Sequence, residues 1–197
     1  MPAHVHDLDD PLPPAIAVDT SFLLVGVNGS EPRHARARRL LDRMASDGTL
    51  VVYCQHVLLL ELWSACSGFV RTLRRPRELA RLISAAEAAG AGGSAGRLRA
   101  ADVPEEMAGR YRLAVETFER LVGAQLADLE TVSVRLSMGL LARARDAIFS
   151  HSLRSYDAVM VALAEEAAAR TGTGPHLATF DVDFLGVEGL EVWGQAP

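Results

Sequence analysis

Five carboxylates stand out by where they occur: Asp19, Glu61, Asp157, Asp181 and Asp183. Asp19 is the only Asp, Glu, Lys or Arg between Pro11 and Ser30, and Glu61 is the only one between Gly48 and Val70. An ionised carboxylate is costly to bury without a partner, so each of these needs a reason. The neighbours of Glu61 at three and four residues' distance are Val57, Leu58, Ser64 and Ala65, which do not make a charged helix face. Asp157 falls in the first turn of a predicted helix, where the helix dipole favours negative charge. Each acid has an ordinary alternative. Asp19 can cap a helix, Glu61 can lie on a narrow polar stripe, and Asp181 and Asp183 can serve a turn. Taken as a set they say more. Convergent carboxylates repel one another, and a hard divalent cation relieves that repulsion. Mg²⁺ or Mn²⁺ takes oxygen ligands and keeps waters for chemistry. An ion so held activates water and neutralises charge at a phosphorus centre, which is phosphodiester hydrolysis.

Convergence needs elements that bring the five together. Ala15 to Val18 is an apolar run ending at Asp19, read as a buried first strand that turns into a short helix. A helix is predicted over Glu31 to Ser46, a strand over Thr49 to Tyr53, and a buried helix carrying Glu61 over His56 to Val70. Pro76 to Ala89 reads as helix, Gly90 to Gly96 as a flexible connector, and Pro104 to Leu126 as helix. A third strand is placed at Leu129 to Val134, and helices at Ser137 to Ser150 and Ser155 to Arg170. After the turn Thr171 to Pro175, a strand runs His176 to Phe180 and a last edge strand Leu190 to Trp193. Strands alternating with helices imply a mainly parallel sheet covered on both faces. Asp19 and Asp181 then sit at the carboxyl ends of strands, where open parallel sheets bind ligands.

The chain has 197 residues, 49% of them apolar, which suits one domain over residues 15–193 with a proline-rich, acidic tail at 1–14. That tail lacks the basic and apolar regions of a signal peptide, and no stretch is apolar for long enough to span a bilayer. Cys54 and Cys66 are neither a C-x-x-C pair nor near histidines at zinc spacing, so reduced thiols and a cytoplasmic setting are expected. The net charge is −5, and all 20 basic residues are arginine. With no lysine, a P-loop and Schiff-base chemistry are excluded. The acidic balance speaks against a general nucleic-acid coat and leaves room for a local basic strip.

The segments Ala17-Val18-Asp19-Thr20-Ser21-Phe22-Leu23-Leu24, Leu59-Leu60-Glu61-Leu62, Ser155-Tyr156-Asp157-Ala158 and Ala178-Thr179-Phe180-Asp181-Val182-Asp183-Phe184, in this order, resemble the PIN-domain nucleases, and within them the VapC-like toxins of toxin–antitoxin pairs. The resemblance covers roughly residues 15–70 and 129–193; the stretch 71–128 exceeds a compact member of that family and reads as a helical insertion. It implies a Rossmann-like α/β/α sandwich and an endoribonuclease dependent on Mg²⁺ or Mn²⁺. Metal ligation passes to Asp19, Glu61, Asp157 and Asp181, with Asp183 as a supplementary acid. Thr20, Ser21 and Thr179 match hydroxyl positions that tune the site or touch phosphate. Arg71 and Arg74, with Arg75 and Arg77, are either RNA contacts or solvated helix-end residues. A small antitoxin, homodimerisation and cleavage leaving a 3′-hydroxyl and a 5′-phosphate are further implications. Two alternatives are a catalytically silent scaffold that binds RNA or protein and a stand-alone RNA-processing nuclease. Other folds with an aspartate after the first strand fit poorly. A haloacid-dehalogenase phosphatase needs a second aspartate where Ser21 stands, a response-regulator receiver needs a lysine, and a dinucleotide-binding Rossmann domain needs a glycine-rich turn there.

Overall fold

A computed structural model describes residues 2–72 and 106–195. Six strands form one sheet: β1 (His4–Val5), β2 (Ala15–Val18), β3 (Leu50–Tyr53), β4 (Thr131–Ser133), β5 (His176–Ala178) and β6 (Glu191–Trp193). Every pairing is parallel, in the order β1-β6-β5-β2-β3-β4. The described helices are α1 (Thr20–Val27), α2 (His34–Asp47), α3 (Gln55–Thr72), α4 (Met107–Ala127), α5 (Met138–His151) and α6 (Ser155–Thr171).

The sheet separates two apolar layers, and strand alternation assigns residues to them. Ile16, Val18 and Val51 point into a core shared with α1 to α4, where Phe22, Leu40, Leu62 and Phe118 are buried. Ala15, Ala17 and Val52 point the other way, onto Leu140 of α5 and Ala158 to Ala164 of α6. All four residues of β2 are buried, as expected for the centre of a parallel sheet covered on both sides. The result is an α/β/α sandwich.

Strand order also locates a crevice. From β2 the chain moves to β3 on one side, and it returns much later to β5 on the other. The carboxyl ends of β2 and β5 therefore flank a topological switch point, the place where such sheets open a ligand crevice.

Two features depart from the sequence reading. Residues 1–14, taken as a tail, contribute β1 to the sheet, with the His4 and His6 amides donating to the Leu190 and Val192 carbonyls at 2.9 Å each. Leu8 is buried, and Arg43 donates to the Asp10 carbonyl at 2.9 Å. The strand is only two residues long, so its alternation is hidden among prolines and acids. Consequently β6 is an inner strand, and the edge is β1. The predicted helix Pro76–Ala89, the connector Gly90–Gly96, Pro104 and Arg74 lie outside the described residues, as do the side chain of Arg71 and most of the proposed insertion. Cys54 and Cys66 are free and buried, and burial pushes the Cys66 thiol up to about 12.

Candidate metal centre

The site grows out of two strand-to-helix turns. Asp19 ends β2 in extended backbone and caps α1, accepting from the Ser21 amide at 3.3 Å. Capping alone explains one oxygen of this carboxylate. The other oxygen accepts from two hydroxyls, Ser21 Oγ and Thr179 Oγ1, the latter at 2.9 Å. Thr179 is fully buried just beyond β5, and it also accepts from the Asp181 amide at 3.0 Å. One threonine thus ties the turn after β2 to the turn after β5. Asp181 in its turn caps a single 3₁₀ turn (Val182–Gly186), accepting from the Asp183 amide at 2.9 Å, and buried Phe184 anchors that turn.

Glu61 comes from the second turn of α3. Its Oε2 accepts from Thr20 Oγ1 at 2.5 Å, so the first residue of α1 holds the helix-borne acid beside Asp19. Asp157 occupies the first turn of α6, half-buried, with Arg154 at the cap position before it.

Electrostatics shows that the acids share one field. Burial raises the Asp19 carboxyl, partly offset by its hydroxyl and amide donors and added to by Asp181. Burial pushes Glu61 from 4.5 up to about 7, with Asp19 and Asp157 adding and Thr20 opposing. Asp157 is raised by burial and then by Asp181, Asp19 and Asp183, with Arg154 opposing. Among the described residues, none of these five acids forms an ion pair within 4.0 Å of an arginine or histidine. Hydroxyls and amides supply dipoles but no net positive charge. A divalent cation would reverse the sign of each of these shifts, since an adjacent opposite charge favours the ionised form. The donor set, all carboxylate oxygen, suits a hard ion such as Mg²⁺ or Mn²⁺.

The structure links Asp19 to Thr179 and Ser21 and Glu61 to Thr20 by hydrogen bonds, and sets Asp19, Glu61 and Asp157 in the field of one another and of Asp181 and Asp183, although among the described residues no three of these carboxylates bring ligand atoms within 4.8 Å of one another. Two cations at the rim escaped the sequence reading. Arg33 donates to the Phe180 carbonyl at 3.1 Å, one residue before Asp181, and its guanidinium lies 4.6 Å from the centre of the Phe180 ring. Arg154 opposes the rise of the Asp157 carboxyl by its charge. Arg33 was hidden in the arginine-rich opening of α2, and its role depends on the non-local approach of that loop to the end of β5. The Leu153-Arg154-Ser155-Tyr156-Asp157 spacing was the one local signal for Arg154.

Gly194 shapes the floor of this region. Its φ is +97°, and a Cβ there would stand 3.0 Å from the Thr179 carbonyl oxygen and 3.0 Å from the Phe22 ring.

The family model described as PIN domain matches residues 16–190 of the chain. No curated protein matches it.

Proposed function

Starting from the fact that the chain belongs to the PIN domain family, whose members are generally nucleases that use divalent metals, we propose that it is an endoribonuclease dependent on Mg²⁺ or Mn²⁺. The observation that carries this reading is a buried, hydroxyl-braced Asp19 among acids, with Asp19, Glu61 and Asp157 each shifted upward and none of the five acids ion-paired among the described residues. Asp19, Glu61, Asp157 and Asp181 would hold the ion, with Asp183 as an auxiliary acid. When bound, such an ion supplies Lewis acidity and lowers the pKa of water.

The chain's own residues do the rest. Ser21 and Thr179 fix the Asp19 carboxylate in one orientation, and Thr20 fixes Glu61. Orientation of this kind is what turns a binding site into a reactive one. Glu61, poised at about 7, releases its proton readily when positive charge arrives. Arg33 and Arg154 are placed to receive phosphate oxygens at the rim of a protein whose net charge of −5 otherwise repels a polyanion.

We extend the reading to the toxin of a toxin–antitoxin pair, acting in the cytoplasm as a homodimer and held by a small antitoxin. The ordered toxin-like segments support it. A neighbouring short reading frame for a DNA-binding protein, and growth arrest on expression relieved by that protein, are the expected observations. A gene that stands alone and does not slow growth would point to RNA processing instead. A monomer by light scattering would remove the dimer.

The deciding experiment incubates a mixed RNA pool with Mn²⁺ and either wild type or Asp19→Asn. Wild type cleaves, EDTA stops it, and Asp19→Asn loses at least about 100-fold, as removal of a catalytic electrostatic group does. Equal cleavage by both proteins, or none by wild type, would defeat the proposal.

A further inference from the structure

A second cluster of metal-binding side chains lies away from the carboxylate crevice. His4 lies in β1 and His6 directly follows that strand, two residues on and so on the same side of the extended chain, while β1 pairs with β6 so that His4 stands in register with Glu191. One ligand atom from each of His4, His6 and Glu191 lies within 4.8 Å of the others. Glu191 opens β6 and also pairs with His176, the first residue of β5. His4 and Glu191 open β1 and β6, and His6 follows β1, whereas Asp19 and Asp181 lie beyond the carboxyl ends of β2 and β5.

The central ring is held firmly. His6 stacks on Trp193 with ring centroids 4.2 Å apart and planes 6° from parallel. Its Nδ1 faces an Asp10 carboxylate oxygen at 3.2 Å, and its Nε2 faces Glu191 Oε2 at 2.7 Å. The Asp10 carboxylate is itself anchored by the Asp7 amide at 2.9 Å. A neutral imidazole donates through one nitrogen only, so a proton on Nδ1 toward Asp10 leaves the Nε2 lone pair beside Glu191 Oε2, the arrangement of two ligand atoms that share a cation. The Asp10 contact is the kind of outer carboxylate that fixes the tautomer of a metal-bound histidine and leaves Nε2 as the ligand. His176 belongs to the surroundings and not to the ligands, because its Nδ1 already accepts from Trp193 Nε1 at 3.2 Å.

We propose that His4, His6 and Glu191 form a transition-metal site, selective for Zn²⁺-like ions, that ties β1 to β6. Two imidazoles and one carboxylate favour zinc or its neighbours over Mg²⁺, and three protein ligands leave a position for water. Zinc ligand atoms stand roughly 3.3 Å apart when bonds are about 2.0–2.1 Å. Exposed His4 and half-buried Glu191 can rotate to reach that spacing.

The test titrates the full-length protein with ZnCl₂ in excess Mg²⁺, by calorimetry, and records the visible absorption of the Co²⁺-loaded protein. The Asp19→Asn variant serves as host, so that the carboxylate crevice contributes least. One equivalent of Zn²⁺ binds, and His4→Ala and Glu191→Gln each weaken binding at least about 10-fold and remove the Co²⁺ bands. His4 is exposed, so its alanine variant keeps the fold. No Zn²⁺ binding in the host, or binding unchanged in both variants, would overturn the site. Zinc bound by wild type but lost on Asp19→Asn alone would assign the ion to the crevice and overturn it equally.

Discussion

Replacing Glu61 by Gln in protein freed of divalent cations should stabilise the fold at alkaline pH. The Glu61 carboxyl is raised from 4.5 to about 7. A carboxyl with a raised folded pKa carries stability that is complete below its unfolded value and is lost as pH rises through the folded one. The window is therefore about pH 4.5 to pH 7 and just above. At roughly 1.4 kcal/mol per unit, the full loss would approach about 3 kcal/mol. Partial exposure of Glu61 reduces the realistic gain for Gln to about 1–2 kcal/mol. Asp19 and Asp157 are raised in the same direction by burial, and they lower the stability of both proteins alike as pH rises. Glutamine does not titrate and its carbonyl can still accept from Thr20. Urea melts in EDTA at pH 5 and pH 8 measure the effect. Glu61→Gln should be close to wild type at pH 5 and more stable at pH 8. Adding Mn²⁺ at pH 8 should then reverse the order, because only wild type retains the full ligand set. An unchanged difference between the two proteins at both pH values would refute the argument that burial and like charge, relieved by a cation, define this site.

Three further outcomes follow from the same geometry. Thr179→Val removes a donor to Asp19 and an acceptor for the Asp181 amide; it should cost about 1–3 kcal/mol and most of the nuclease activity, while Thr179→Ser should restore both, as melts and cleavage assays will show. Gly194→Ala places a side chain at φ +97° within 3.0 Å of the Thr179 carbonyl oxygen, and a loss of about 1–3 kcal/mol with a lowered Mn²⁺ affinity is expected from melts and titration. Arg33→Ala should raise KM for RNA more than it lowers kcat, and should flatten the salt dependence of binding by about one phosphate contact; a change confined to kcat would place Arg33 in the chemistry instead.

Much of this arrangement could be read in the sequence because its signals are local. The apolar run into Asp19, the lone Glu61 inside an apolar helix and the strand before Asp181 all combine a composition signal with a charge that contradicts it. The parallel sheet followed from the alternation of strands and helices. What could not be read is non-local or short. β1 has two residues, too few for a period of two to declare itself, and its partner β6 lies nearly the whole chain away. The stacking of His6 on Trp193 and the reach of Arg33 to Phe180 depend on packing that no window of sequence contains. Thr179 matched a hydroxyl position, yet its part in joining the two turns is visible only when Asp19 and Asp181 are seen together.

The central claim is that the crevice between the ends of β2 and β5 holds a divalent cation. Crystals of the protein soaked in Mn²⁺, with data collected for anomalous scattering, test it most directly. Anomalous density is expected among Asp19, Glu61, Asp157 and Asp181, present in wild type and absent from Asp19→Asn. An empty crevice under saturating Mn²⁺, with Asp19 still bonded only to Ser21 and Thr179, would contradict it.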